Sequence, residues 1–158
     1  MAQSVSNKVE TKHQASEQQK SHQHPAAIEL MVYKTPTCGC CSKWIDHLEQ
    51  QDLKTQSKDL QDLSMIKAKF GIKPNMRSCH TGVSKDGYIF EGHVPAKFIK
   101  QFLAHPPANA IGLSVPAMPI GSPGMEMNNQ FMPYHIMVLF KDGSHQVYAS
   151  VRSLEEQF

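Results

Sequence analysis

The alternation of short strand-like runs with amphipathic helical runs is the strongest constraint on the fold of this chain. A run of β-forming residues at 28–34 precedes a helical pattern at about 39–51. A weaker strand pattern at 53–59 and a second helical pattern follow. A hairpin pattern at 81–94 then leads into a third helix with Pro95 in its first turn. This β-α-β-α-β-β-α order predicts an α/β protein with helices packed on a mixed sheet, as in a thioredoxin-like fold.

The segment 105–133 interrupts this regular pattern. It holds six of the ten prolines and four of the nine methionines, and it shows neither a helical nor a strand period. A long irregular loop inside a compact domain is usually functional or disordered, and the apolar residues here argue against disorder. After it, a second hairpin with a turn at 141–144 closes the chain. We therefore expect a Pro/Met-rich loop followed by a C-terminal β-hairpin.

The first 26 residues have a different composition from the rest. They are mostly Gln, Ser, Lys, His and Glu without apolar periodicity, so we expect a disordered polar tail at 1–26 and a folded thioredoxin-like domain at 27–158. The tail lacks the apolar stretch of a signal peptide. Its His13, His22 and His24 fit either a solvated linker or an auxiliary segment that captures metal.

Charge and hydropathy exclude several functional classes. Sixteen basic and fourteen acidic residues give a net charge of +2, which provides no electrostatic basis for binding nucleic acid or an anionic membrane. No apolar run approaches the roughly 20 residues of a transmembrane helix, so we expect no membrane insertion. The sequence motifs of serine hydrolases, P-loop nucleotide-binding proteins and zinc proteases are missing.

Four cysteines form the main functional signal. Cys38 and Cys41 make a CxxC pair where the first strand leads into a helix, whose N-terminus would lower a thiol pKa. Cys40 adds a thiol that dithiol redox chemistry does not need. In a thioredoxin-like fold, the loop that carries Cys79 would face the CxxC turn and bring four thiols together. Clustered thiolates select Cu(I), zinc or iron–sulfur clusters.

Other uses of these cysteines remain open from the residues alone. Four cysteines could form two structural disulfides, although the adjacent Cys40 and Cys41 would each need a separate partner. Tetrahedral zinc usually takes two CxxC-type pairs, and this chain has one pair and a lone cysteine. The C-G-C-C spacing matches neither common ferredoxin pattern, which argues against an iron–sulfur cluster.

Methionines and histidines supply further candidate ligands. Three methionines, Met118, Met125 and Met127, lie between prolines and glycines in the stretch 112–127, which we call the Met loop. Their thioethers suit Cu(I), but methionine also fills gaps in cores. His80, next to Cys79, and His93 are either metal ligands or hydrogen-bonded core residues. Structural or solvent-exposed roles are expected for the others: His47, His105, His135 and His145.

Several of these runs resemble one known family when they are taken together. The runs are TPTCGCCSKWIDHL, SCHTG, GYIFEGHVPA and GLSVPAMPIGSPGMEM. They are similar to segments of the CopG family of bacterial copper-resistance proteins, long described as a metal-binding domain of unknown function. The resemblance covers about residues 30–127.

The resemblance implies a thioredoxin-like fold, a periplasmic location and copper bound by the family's cysteines. Those cysteines correspond here to Cys38, Cys40, Cys41 and Cys79. The neighbouring motifs add His80, His93, Met118, Met125 and Met127 as candidates for the metal site. The missing signal peptide is the one mismatch with the family, and a mature form from which it has been removed would account for this.

The functional hypothesis is therefore a periplasmic copper-resistance protein whose copper-binding domain is residues 27–158. It would bind Cu(I), with several ions sharing bridging thiolates. It would detoxify copper in one of three ways: by sequestration, by transfer to a periplasmic efflux or copper-carrier protein, or by Cu(I)/Cu(II) redox cycling as an oxidoreductase. The alternatives are a thiol–disulfide oxidoreductase that uses Cys38 and Cys41, and a zinc-stabilised interaction module.

Overall fold

The structure, a computed structural model, describes residues 27–158. The predictions made for residues 1–26, including those for His13, His22 and His24, lie outside this range.

Seven strands and three helices form the described part of the chain. The strands are β1 (Glu29–Lys34), β2 (Lys54–Asp59), β3 (Thr81–Ser84), β4 (Ile89–Glu91), β5 (Ala110–Ser114), β6 (Tyr134–Phe140) and β7 (His145–Val151). The helices are α1 (Gly39–Gln50), α2 (Ser64–Lys69) and α3 (Ala96–Ala104), with short 3-10 turns at Pro74–Met76 and Leu154–Gln157. None of the helices in residues 27–158 is long and apolar enough to cross a membrane.

All seven strands belong to one mixed sheet with the order β2-β1-β3-β4-β5-β6-β7. The β1–β2 and β4–β5 pairs are parallel, and the other four neighbouring pairs are antiparallel. The predicted α/β class with a mixed sheet is therefore confirmed. Because β1 lies beside both β2 and β3, its carboxyl end directs α1 and the cysteine run to the same edge from which β3 begins.

Helix α1 forms because its apolar residues recur every three to four positions. Cys41, Trp44 and Leu48 are fully buried on one face, as the sequence predicts. Helix α3 likewise buries Phe98 and Phe102. These faces pack against one side of the sheet, so the start of α1 is held rigidly beside the strand ends.

The opposite side of the sheet has a smaller apolar core. It is centred on Ile72, Ile89 and Leu139, with Phe70 at the end of α2 packed against it. Strand residues alternate between the two sides, since successive side chains point to opposite faces. Helix α2 thereby lies across the sheet from α1 and α3, and its lysines can reach the sheet from behind the cysteine site.

The expectation of an irregular segment from 105 to 133 is wrong for Ala110–Ser114, which form β5. This strand lies between β4 and β6 and completes the sheet. Gly112 lies so close to β4 that a Cβ there would be 1.8 Å from the carbonyl oxygen of Ile89. A short run with a central glycine carries little intrinsic strand preference, so pairing with distant strands decides its conformation.

Candidate metal centre

The four cysteines meet at the edge of the sheet where β1 ends and β3 begins. Cys38 caps the N-terminus of α1, Cys40 and Cys41 lie in its first turn, and Cys79 lies two residues before β3. One sulfur atom from each lies within 4.8 Å of every other sulfur in the group. The prediction that the loop of Cys79 faces the CxxC turn agrees with this geometry.

Two of these cysteines are oxidised and two are free. Cys38 and Cys41 form a disulfide, while Cys40 and Cys79 are half-buried thiols. The Cys40 sulfur lies 3.5 Å from that of Cys38 and 3.8 Å from that of Cys79. The site can therefore hold four thiolates only after reduction of the Cys38–Cys41 bond by two electrons.

Two histidines converge on the sulfur of Cys79. Its Sγ lies 3.2 Å from Nδ1 of His80 and 3.2 Å from Nε2 of His93. Both imidazoles are buried, with no exposed surface. Cys79 is thus shared between the group of four cysteines and a second group made with the two histidines.

Backbone carbonyls fix the tautomers of both imidazoles. The Nε2 atom of His80 lies 2.8 Å from the carbonyl oxygen of Gly92, and Nδ1 of His93 lies 2.7 Å from that of Pro123. A carbonyl only accepts, so each of these ring nitrogens carries the proton. Both remaining ring nitrogens then present lone pairs to Cys79, whose single S–H can satisfy one of them. A cation between the three atoms would satisfy them all, and this sulfur and nitrogen donor set suits a soft or borderline metal.

Burial keeps these groups neutral. Desolvation, followed by the neighbouring Cys40, raises the pKa of Cys79 to about 12. Desolvation lowers the pKa of His80 well below its ordinary value, and His93 and Lys67 add to that effect. Desolvation also lowers the pKa of His93. Neutral imidazoles are the metal-binding form, whereas Cys79 must lose its proton when it binds a metal.

Trp44 forms one wall of the histidine pair. Its ring lies 4.2 Å from that of His80 between centroids, and its indole N–H donates to the carbonyl oxygen of Val94 at 2.9 Å. His93 meets His80 edge to face at 4.9 Å. The tryptophan expected only as a core residue of α1 therefore also orients a candidate ligand.

The Met loop packs directly against the cysteine turn. A Cβ at Gly124 would be 2.8 Å from the carbonyl oxygen of Cys40 and 3.0 Å from Nδ1 of His93, so only glycine fits this approach. Met118 and Met127 are each about half exposed, at 49% and 50%, and Met125 is partly buried. The loop lies over the site at Gly124. In the sequence, Met118 precedes this glycine and Met125 and Met127 follow it.

Within residues 27–158, the other four histidines lie outside the site. His47 is buried rather than on the polar side of α1, and its Nε2 accepts a hydrogen bond from the backbone N–H of Ala96. His105, His135 and His145 are exposed. The expectation of structural or solvent-exposed roles agrees with these positions, but the predicted polar-face location of His47 is wrong.

Sequence reasoning missed a buried ion pair behind Cys79, formed by Lys67 of α2 and Glu91 of β4. It also missed Pro123, whose carbonyl fixes His93. Glu91 carries a signal that could have been read, because a carboxylate in the otherwise apolar run Ile89–Glu91 must have a buried partner. Nothing in the sequence singles out a carbonyl group.

Comparison with known proteins gives two consistent results. A family model described as "Protein of unknown function, DUF411" matches residues 76–125. Two solved structures, titled copper resistance protein CopG, form 1 and form 2, are each 38% identical to this chain with a TM-score of 0.75. In both cases the match covers 80% of this chain and 99% of the other. The curated proteins contain no match.

The matched region includes the cysteine turn, the Cys79 segment and the start of the Met loop, since it spans most of the described chain. A cysteine cluster at this position and relatives described as copper resistance proteins together fit a copper-related function. Identity at this level over nearly the whole length of the relative shows common descent, and the chain belongs to the CopG family of copper resistance proteins.

Proposed function

We propose that this protein binds Cu(I) in the periplasm and acts in copper resistance. The observation that carries the proposal is the convergence on Cys79 of two imidazole lone pairs and of three further cysteine sulfurs. Thiolate sulfur is the donor that Cu(I) prefers, and neutral imidazole also binds it. The copper is the cargo of the protein in this proposal.

Several copper ions would share the site. Four thiolates within 4.8 Å of one another repel each other strongly unless cations lie between them. Cys79 belongs to both donor groups, so its sulfur can bridge one copper near Cys40 and another near His80 and His93. The cysteine and histidine ligands in this proposal are Cys38, Cys40, Cys41, Cys79, His80 and His93.

The Met loop would act as a lid whose thioethers complete the copper shell. Gly124 lies against Cys40 and His93, and Met125 is the next residue in the chain after this contact. Thioethers are neutral, so Met118, Met125 and Met127 could add donors without adding charge to a site of clustered thiolates. The exposure of Met118 and Met127 suits a first contact with incoming Cu(I).

We further propose that the fold is a thioredoxin-like one extended by β5 to β7. The order β2-β1-β3-β4, with β1 and β2 parallel and α1 starting at a CxxC turn, supports this interpretation. The periplasmic location is supported by the Cys38–Cys41 disulfide, since disulfides persist in oxidising compartments.

Copper held at this half-exposed site would be sequestered or passed to a periplasmic efflux or copper-carrier protein. Cu(I)/Cu(II) cycling, in which dioxygen accepts the electron that leaves Cu(I) and an external thiol returns one electron to Cu(II), would make the protein an oxidoreductase. Cys40 and Cys79 are half buried rather than enclosed, which gives a partner or an oxidant access to the metal.

The test is an anaerobic Cu(I) titration of the reduced protein against a competing chelator. Cys40→Ser should lower the Cu(I) affinity by at least about tenfold and reduce the number of ions bound, because it removes the sulfur between Cys38 and Cys79. Ser42→Ala, at an exposed neighbouring position of α1, is the matched control and should bind as the wild type does. Full copper binding by Cys40→Ser would exclude the four-thiolate site.

A second candidate function is thiol–disulfide exchange with protein substrates. The observation that favours it is the Cys38–Cys41 disulfide at the N-terminus of α1. In that case Cys40→Ser and Cys79→Ser should both retain disulfide reductase activity, and the reduced wild type should bind no Cu(I). The same titration therefore separates the two candidates.

A further inference from the structure

A buried ion pair lies directly behind the candidate metal centre. The Lys67 ammonium is 2.6 Å from a carboxylate oxygen of Glu91, and the two residues are 5% and 0% exposed. Of the ion pairs formed within residues 27–158, this is the one in which both partners are buried. Lys67 reaches it from α2, on the far side of the sheet from α1.

Stability alone is a weak reason for such a pair. Removing two charges from water carries a large desolvation cost, and apolar residues of similar size often give equal or greater stability. A charged pair between α2 and β4 is therefore better explained by what its atoms hold in place.

Glu91 holds the backbone of the cysteine segment. One of its carboxylate oxygens accepts a hydrogen bond from the N–H of Ser78 at 2.9 Å, and the same oxygen is the one bound to Lys67. The other oxygen accepts from the hydroxyl of Thr81. Ser78 and Thr81 flank Cys79 and His80 in the chain, so a single carboxylate fixes both ends of this dipeptide.

The two residues that follow Glu91 belong to the histidine group. Gly92 follows Glu91, and its carbonyl holds His80, while His93 follows Gly92. A Cβ at Gly92 would be 2.7 Å from Cβ of Ser78, so the two segments are in close contact. The Ser78–Glu91 bond therefore sets how far the Cys79 sulfur lies from both imidazoles.

We propose that Glu91 is the positioning residue for Cys79, with Lys67 compensating its buried charge. Glu91 touches no sulfur; it acts through the hydrogen bond to the Ser78 N–H. The consequence for copper rests on the proposed function. The consequence for the Cys79 thiol does not, because it can be measured without metal.

Two double variants separate the hydrogen-bond acceptor from the charge. Lys67→Met/Glu91→Gln removes both charges but keeps an amide oxygen that can accept from Ser78. Lys67→Met/Glu91→Met also removes both charges, keeps a similar volume and leaves Ser78 without an acceptor. Glu29→Gln/Lys85→Met, at an exposed pair near the start of β1, is the control for the loss of an ion pair.

The first readout is the rate at which iodoacetamide alkylates each cysteine in reduced, metal-free protein. Trypsin yields Cys79 alone in peptide 78–85, or in peptide 78–97 of the control that lacks Lys85, and the other three cysteines in peptide 35–43, so mass spectrometry separates them. Lys67→Met/Glu91→Met should alkylate several-fold faster at Cys79 with unchanged rates in peptide 35–43. Lys67→Met/Glu91→Gln and the control should match the wild type.

The second readout is Cu(I) affinity. Lys67→Met/Glu91→Met should bind about 10- to 100-fold more weakly, the usual cost of losing a group that orients a ligand, and Lys67→Met/Glu91→Gln should not. Equal behaviour of the two double variants, or wild-type behaviour of Lys67→Met/Glu91→Met, would overturn the proposal. If Lys67→Met/Glu91→Met does not fold, the proposal is overturned when Cys79 in folded Lys67→Met/Glu91→Gln is alkylated faster than in the wild type. A wild type that binds no Cu(I) would contradict the proposed function, while the alkylation rates would still decide the role of Glu91.

Discussion

His80 combines complete burial with a specific protonation state. Its Nε2–H donates to Gly92, its other nitrogen faces Cys79, and its ring lies against Trp44. An imidazolium in this position would lose the water that normally solvates its charge, and this desolvation is the largest cause of its lowered pKa. The folded state therefore excludes a proton that the unfolded chain would bind.

This difference makes the stability of the metal-free protein depend on pH. A histidine in the unfolded chain has a pKa of about 6.5. The stability that the neutral His80 gives the folded state is therefore fully present above that pH and is lost as the pH falls below it. As the pH falls from about 6.5 to about 5.5, a histidine that stays neutral in the folded state lowers the free energy of unfolding by about 1 kcal/mol. In urea denaturation, His80→Gln should therefore lose about 1 kcal/mol less than the wild type over this interval.

The exposed His145 provides the control for this experiment. His145→Gln should keep the wild-type loss over the same pH interval, because the side chain lies at the surface of β7. A His80→Gln variant with the same pH dependence as the wild type would show that the buried imidazole is protonated in the folded state.

The Met loop is the element on which the copper shell depends in our proposal. Two local backbone hydrogen bonds hold it: the N–H of Gly121 donates to the carbonyl of Met125 at 2.9 Å, and the N–H of Met125 donates to the carbonyl of Ser122 at 2.8 Å. Glu126 also accepts from the N–H of Gly124 at 2.9 Å. These hydrogen bonds form a tight turn, and none of them involves a methionine side chain.

Methionine-to-leucine changes therefore test the thioethers with little effect on the fold. Leucine keeps the volume and apolarity of methionine and removes only the sulfur. Met118→Leu, Met125→Leu and Met127→Leu should lower Cu(I) affinity by several-fold to about tenfold, or shift the copper redox potential, with nearly unchanged thermal stability.

Met65 is a suitable control for these variants because it is 83% exposed on α2, on the other side of the sheet. Met65→Leu should match the wild type in affinity and potential. If the three loop variants also match it, the loop is a cover for the site and its methionines are not ligands.

At the scale of the whole molecule, the C-terminus ties the last hairpin to the Met loop. Gln157 is 2% exposed, accepts a hydrogen bond from the hydroxyl of Tyr134 in β6 and donates to the carbonyl of Gly121 at 3.0 Å. Desolvation raises the pKa of Tyr134, as expected for a hydroxyl held away from water. The chain end thus braces the element that packs over the cysteines.

Gln157→Leu should lower the free energy of unfolding by about 1–3 kcal/mol, because it leaves the Tyr134 hydroxyl and the Gly121 carbonyl buried without partners. Urea denaturation of metal-free protein measures this loss. Glu155→Ala, exposed in the same 3-10 turn, should change stability by no more than about 0.5 kcal/mol. Equal stability of the two variants would show that the C-terminus does not brace the loop.

The sequence patterns located most of the elements within one or two residues. The first helix, predicted at about 39–51, is Gly39–Gln50, and both predicted hairpins form where the Lys-Asp-Gly turns occur. These elements are set by local chemistry: apolar residues on one helical face, β-forming runs and glycines in turns. The exception is β5, whose short glycine-centred run becomes a strand only because β4 and β6 lie on either side of it.

By itself, the sequence determined which donors the site could contain. The C-G-C-C run, Cys79 and the adjacent His80 identify a soft-donor centre, because residue type and strand–helix position are local properties that can be read along the chain. The tertiary structure decided how these donors are arranged: the carbonyls of Gly92 and Pro123 orient the imidazoles, and Glu91 holds the segment of Cys79. These contacts join residues 12 to 30 positions apart, and such distances close only when strands, loops and helix pack together, so no local pattern predicts them.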